Sequence, residues 1–176
     1  VTVTGGKWTT YRLMAKDAID TVCEILGNHT ECGTGSHLLA GAEGYDADFW
    51  KKIERDYGLE TDISQHLTLK YGTRAESVAR LATGQAELSE RLLPAYPFLK
   101  AEIVYAVREE MACSVRDFIA RRIRLEVTDW QAALDAAPVV AELMGRELGW
   151  TKETREKELS AYRTLLSRFR DSAGID

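Results

Sequence analysis

The sequence is poor in the residues that build covalent or metal-bonded structure. Among its 176 residues are three cysteines, Cys23, Cys32 and Cys113, and no two of them form a CxxC pair. An odd, scattered set reads as reduced thiols in a cytosolic setting rather than a disulfide framework. Three equally scattered histidines, His29, His37 and His66, leave little from which to build a zinc site, so no metal ligands are expected. Proline is rare, at Pro94, Pro97 and Pro138, so few helices are interrupted. No run of about 18 apolar residues exists that could form a transmembrane helix. Positive charge is not in excess either: 23 Lys+Arg against 28 Asp+Glu gives a net charge of −5. The whole-surface field expected of a nucleic-acid binder is therefore missing. No secretory signal pattern is present, and a chain that starts at Val1 is expected to be processed or to be a piece of something longer. No fixed-period repeat suggests a solenoid.

What is present is an ordinary globular mixture, 45% hydrophobic and 29% charged. The length allows one domain, or one domain plus a piece of another. Such a chain buries roughly 70% of its unfolded surface and needs no staple. Helix formers dominate after residue 45. The spacing predicts about six helices in a mainly α fold with a short β-strand entry. Val1 to Thr4 alternates β-branched residues and reads as a strand. From Trp8 to Leu26 apolar residues recur at three-and-four spacing, with Gly27 as the stop. Residues 28–36 read as a loop, and Ser36 to Ala40 as a second short strand. Asp46, Thr61, the box Thr73-Arg-Ala-Glu76, the box Ser114-Val-Arg-Asp117, Thr128-Asp129 and Thr151 each mark the start of a further helix. Residues 84–98 are broken by Pro94 and Pro97, and Pro138 is expected to kink or start its helix.

The most informative segment is Thr4-Gly-Gly-Lys-Trp-Thr-Thr-Tyr-Arg12. Two glycines precede a helix start, where the first backbone N–H groups have no internal partner and carry the positive end of the dipole. Such a turn suits an anion or a developing negative charge, and Lys7 adds a full positive charge. Thr9 and Thr10 would cap the helix or contact the ligand. The Walker A pattern does not fit, because Trp8 stands where the magnesium-binding hydroxyl should follow Lys7, and no glycine lies five positions before Gly6. Spacing alone leaves a second reading open, a tight turn with a solvated lysine.

Three further blocks narrow the choice. Gly5-Gly6-Lys7-Trp8-Thr9-Thr10-Tyr11-Arg12, with Met14-Ala15 and Asp17, is followed by Glu110-Met-Ala-Cys-Ser-Val-Arg-Asp117 and Arg121-Arg122-Ile-Arg124-Leu125, and then by Glu142-Leu-Met-Gly-Arg-Glu-Leu-Gly-Trp150. In this order, with Asp56-Tyr57-Gly58-Leu59 and Tyr71-Gly72 between them, they resemble the C-terminal region of FAD-dependent glycerol-3-phosphate dehydrogenases, from residue 1 to about 150. Ser114 stands where that family has Thr, Met111 where it has an aromatic residue, and Ile123 where it has Thr.

The resemblance implies residues 1–40 as the C-terminal edge of a flavin and substrate domain, and 41–176 as a helical C-terminal domain. It implies oxidation of sn-glycerol 3-phosphate to dihydroxyacetone phosphate, with electrons passing from FAD to quinone. Gly6, Lys7, Trp8 and Thr9 would sit against the flavin, and Lys7 would also bind the substrate phosphate. The partner would be the chain's own N-terminal flavin domain, with peripheral membrane association, homodimerisation and a cytoplasmic location as further implications. No GxGxxG fingerprint is present, so the ADP half of FAD would have no site here, no catalytic residue is assigned, and the fragment alone is expected to be inactive.

Other candidates receive plainer readings. Arg12 is expected to be a structural ion-pair partner. Arg116, Arg121, Arg122 and Arg124 form one basic cluster, expected to pair with Glu109, Glu110, Asp117 and Glu126 rather than to bind nucleic acid. The alternative function is a stand-alone helical interaction module using the Arg121–Arg124 face. Trp8, Trp50, Trp130 and Trp150 are expected to be core or interdomain anchors. The alternating charges of residues 152–170 read as a solvated helix face.

Overall fold

Helix signals account for nearly every element of the computed structural model, which describes residues 1–174. The chain separates into two units, Val1–Leu39 and Ala40–Asp176.

In the first unit, a 3-10 turn at Trp8–Thr10 leads into α1, Tyr11–Ile25. The turn after it closes as expected, with the Asn28 amide donating to the Cys23 carbonyl at 2.8 Å. Val1 to Thr4 and Ser36 to Ala40 form no strand. A strand needs a partner to accept its ladder of hydrogen bonds, and neither segment has one among the described residues. α1 itself has no buried residue, although its stripe is apolar. Leu13, Ile19 and Ile25 all remain more than half exposed.

The second unit carries the core. It contains α2 (Phe49–Tyr57), α3 (Thr61–Tyr71), α4 (Ala75–Gly84), α5 (Lys100–Glu110), α6 (Leu125–Thr128), α7 (Trp130–Leu148) and α8 (Lys152–Ala173). α5 packs between α4 and α7, α7 carries α8, and α2 lies on α3 and α4. Ile53, Leu67, Val78, Leu99, Ile103, Phe118, Leu125 and Met144 are wholly enclosed. Truncating any one of the leucines to alanine costs about 2–5 kcal/mol. The two proline-bearing turns of residues 84–98 are irregular as expected, apart from a 3-10 turn at Ala86–Ser89 and one antiparallel bridge between Arg91 and Leu99.

Helix starts follow the sequence unevenly. Asp129 Oδ1 accepts from the Ala132 amide at 2.9 Å, and Thr151 Oγ1 from Thr154 at 3.1 Å. The Ser114–Asp117 box closes both ways: Asp117 Oδ2 accepts from the Ser114 amide at 3.0 Å and the Asp117 amide donates to Ser114 Oγ at 3.1 Å. The Thr73–Glu76 box does not form. Thr73 lies in a 3-10 turn and donates to the Gly41 carbonyl through its amide at 2.9 Å and its hydroxyl at 3.3 Å, while Glu76 pairs with Lys52. The long-range acceptor outcompetes the local one. Gly41 and Gly72 are pressed backbone to backbone at positive φ, each leaving no room for a Cβ against the other's strand of chain.

After Ser114 the helix winds as a π-helix over Asp117–Arg122 and stops, because Arg124 takes a left-handed backbone conformation with φ of 57°. The helix opened by the Ser114–Asp117 box thus ends at Arg122, and Leu125 begins α6. Pro138 does not start α7, which begins at Trp130; it lies inside that helix, where its missing N–H leaves the Leu134 carbonyl without its usual donor. α8 buries only Tyr162 and Leu166, in keeping with the solvated face read from its charges. No helix among the described residues is long and apolar enough to cross a membrane.

Candidate functional site

The glycine turn of the first unit has the local form that anion binding needs. Gly5 and Gly6 both take positive φ, at 77° and 133°. The Met14 thioether lies in the space a Gly6 Cβ would take and would have to move aside for one, and the positive φ itself favours glycine. Lys7 returns to extended backbone and serves as the N-cap of the turn with no side-chain bond. The Thr10 amide and hydroxyl both donate to the Lys7 carbonyl, at 3.0 and 3.2 Å. The amides of Trp8 and Thr9, the first of the turn, have no acceptor among the described residues. Every residue from Val1 to Tyr11 is exposed. Trp8 is 88% exposed and stacks on Tyr11 at 5.6 Å between ring centres, so within this chain it is no core anchor. The structure thus brings Gly6, Lys7, Trp8 and Thr9 together in one open turn, with two free amides and one cation.

Arg12 departs from its expectation: its guanidinium donates to the Thr34 hydroxyl at 3.4 Å and meets no carboxylate among the described residues. The basic cluster largely meets its own. Arg116 holds Glu126 through three contacts of 2.9–3.2 Å, Arg121 pairs with Asp117, and Arg122 reaches Glu110 through both its carboxylate and its backbone carbonyl. Glu109 joins none of these. With three of four guanidiniums engaged inside the unit, Arg124 is the one arginine of that face without an ion pair among the described residues. Trp130 and Trp150 pack half-buried on the core, and Trp50 is half-buried on α2. Cys23, Cys32 and Cys113 are free thiols, and no group of three or more potential metal ligands is gathered among the described residues.

The most concentrated polar site went unread in the sequence. Glu102, in the first turn of α5, is fully buried, and its partners favour the ionised form. Its carboxylate accepts from His66 Nε2 at 2.9 and 3.1 Å, Lys70 Nζ at 3.1 Å, the Tyr71 hydroxyl at 2.9 Å and the Leu99 amide at 2.9 Å. Burial by itself pushes the Glu102 carboxyl up, but the Lys70 charge, the His66 hydrogen bond and the Leu99 amide together outweigh it and hold the group down at about 2. The same burial, with the Glu102 charge beside it, drives the Tyr71 phenol far above its ordinary range. His66 rests edge-on against Phe98 at 5.1 Å. The three donor side chains lie 31 to 36 residues before Glu102, a separation with no local signature. The only sequence signal was a glutamate three residues after a helix-start position.

Comparison with known proteins gives these features a context. A family model described as the C-terminal domain of alpha-glycerophosphate oxidase matches residues 32–155. A probable mitochondrial glycerol-3-phosphate dehydrogenase of Caenorhabditis elegans is 43% identical over 172 residues, covering 94% of this chain and 24% of that protein. The mitochondrial glycerol-3-phosphate dehydrogenase of Mesocricetus auratus is 39% identical, covering 90% and 22%. The crystal structure of the glycerol-3-phosphate dehydrogenase from Bacillus halodurans, complexed with FAD, superposes with a TM-score of 0.77 at 27% identity, covering 92% of this chain and 34% of that one. The chain spans about a quarter of the length of the curated relatives it matches.

Proposed function

Because this chain belongs to the family of C-terminal domains of alpha-glycerophosphate oxidase, we propose that it is the C-terminal part of an FAD-dependent glycerol-3-phosphate dehydrogenase. The intact protein would oxidise sn-glycerol 3-phosphate to dihydroxyacetone phosphate and pass electrons from flavin to quinone. Residues 1–40 are the edge of the flavin domain and 41–176 the helical domain; the separation of the chain after Leu39 supports this partition. So does the unburied apolar stripe of α1, the mark of an edge whose partner is the chain's own flavin domain.

The observation that carries the reading is the open turn at Gly6–Thr9. Its residues fit the edge of a flavin: two amides without acceptors and a glycine that permits close approach. FAD, when bound, would supply the acceptor for the hydride from C2 of the substrate, with negative charge developing on the pyrimidine edge of its ring. The Trp8 and Thr9 amides would hold that edge and stabilise the charge from a fixed position. Lys7, extended at the same turn, would bind and orient the substrate phosphate as a point cation.

Quinone is confined to the bilayer, so reaching it gives the intact protein a peripheral seat on a membrane face, through parts beyond this chain. A homodimer belongs to the same proposal. The test is direct. The purified 176-residue chain should be colourless, should bind no FAD and should not turn over glycerol 3-phosphate, whereas the full-length parent does so with a quinone acceptor. A stoichiometric yellow chain would overturn the partition.

A further inference from the structure

The helical unit has a cleft of its own lined by arginines. The facing sides of α4 and α5 enclose an open cleft of about 520 Å³, lined by Arg74, Ser77, Arg80, Tyr105, Arg108 and Glu109. That volume falls in the range of about 300–1,000 Å³ common to ligand sites. Arg74, Ser77 and Arg80 recur at three-residue intervals from the start of α4, where the helix dipole adds positive potential.

Arg74 and Arg80 are among the arginines of the unit without a carboxylate partner among the described residues. In this net-acidic chain most arginines close onto carboxylates, as Arg91 does with Glu60 and Asp62, Arg116 with Glu126, and Arg146 with Glu87 and Glu142. Arg108 holds Glu147 by two bonds, of 2.6 and 2.8 Å. Arg74 has the buried Tyr105 ring and its hydroxyl beside it, and Glu109 is the one carboxylate of the cleft wall. Arg74 is engaged by the Tyr105 hydroxyl, yet three guanidiniums and two hydroxyls against one lining carboxylate still leave an excess of donors. A tetrahedral oxyanion, with several acceptor oxygens to share among donors, matches that set better than a planar carboxylate.

We propose that the cleft between α4 and α5 binds a phosphate group, with Arg74 and Arg80 as its cationic ligands and the Ser77 and Tyr105 hydroxyls as neutral donors. Two sources offer that chemistry, free phosphate compounds and the headgroup of an anionic lipid. The site is independent of Lys7 and of the flavin reading.

The test titrates the 176-residue chain with inorganic phosphate while following backbone amide shifts by NMR. Vesicles of phosphatidylglycerol, with phosphatidylcholine as the control, are tested by co-sedimentation. Saturable shifts confined to residues near 74–81 and 105–109 are expected. The paired variant Arg74→Glu with Arg80→Glu should weaken binding by about ten-fold or more, since each charged hydrogen bond is worth about 1.5–3 kcal/mol. Arg74→Lys with Arg80→Lys should retain part of it. Both pairs alter exposed side chains, and circular dichroism checks that each variant is folded. Phosphate binding without vesicle binding supports a soluble ligand; capture by phosphatidylglycerol vesicles that the Glu pair abolishes supports a lipid headgroup. No saturable shift and no capture, or binding that survives the Glu pair unchanged, overturns the proposal.

Discussion

Replacing Glu102 by glutamine is the sharpest probe of the helical unit. The substitution keeps size and one acceptor oxygen but removes the charge to which His66, Lys70, Tyr71 and the Leu99 amide all point. The carboxyl is held at about 2 in the folded chain against an ordinary 4.5. At about 1.36 kcal/mol per unit, that difference corresponds to roughly 3 kcal/mol of stability at neutral pH. The sign follows from the depressed value: the contribution is complete above the unfolded pKa and disappears as pH falls from about 5 towards 2. Urea unfolding followed by circular dichroism at several pH values measures it. Glu102→Gln should lower the unfolding free energy by about 2–4 kcal/mol at pH 7, with little change in the urea dependence. It should also remove much of the stability loss between pH 5 and pH 3, because the titrating group is gone. Equal stability of variant and wild type at pH 7, together with an unchanged acid profile, would refute the assignment of Glu102 as a buried, ionised hub.

Other expectations concern backbone and site. Gly41→Ala should destabilise the unit by about 2 kcal/mol or more, since positive φ and the Tyr71 carbonyl both oppose a Cβ; an unshifted melting temperature would contradict the close backbone contact. Glu126→Ala, which removes three hydrogen bonds to the part-exposed Arg116, should cost about 1–2 kcal/mol in chemical unfolding.

Much of the fold is legible because its signals are local. The stripes ending at Gly27, Gly58 and Gly72 need only neighbours within a turn, as do the caps at Asp129 and Thr151 and the Ser114–Asp117 box. Where tertiary contacts compete, local reading fails. Thr73 abandons its box for the Gly41 carbonyl, 32 residues away. Val1 to Thr4 has the composition of a strand but no pairing edge. The π-turn of Asp117–Arg122 inserts one residue that no apolar period announces, and the arginines of that stretch then turn towards Glu110 and Asp117. The glycine turn was visible because its chemistry is carried by consecutive residues. The Glu102 hub was not, because its donors come from α3, a helix earlier in the chain.

In the proposed function, Lys7 and the Gly6–Thr9 turn contribute to the active site of the intact enzyme. Steady-state turnover of glycerol 3-phosphate by the full-length parent, with Lys7→Ala against wild type, tests it most directly. Loss of one charge-assisted contact of about 1.5–3 kcal/mol predicts a fall of about ten- to more than a hundred-fold in kcat/KM, with folding intact. Unchanged kcat/KM would make Lys7 a solvated lysine at a tight turn and contradict the account.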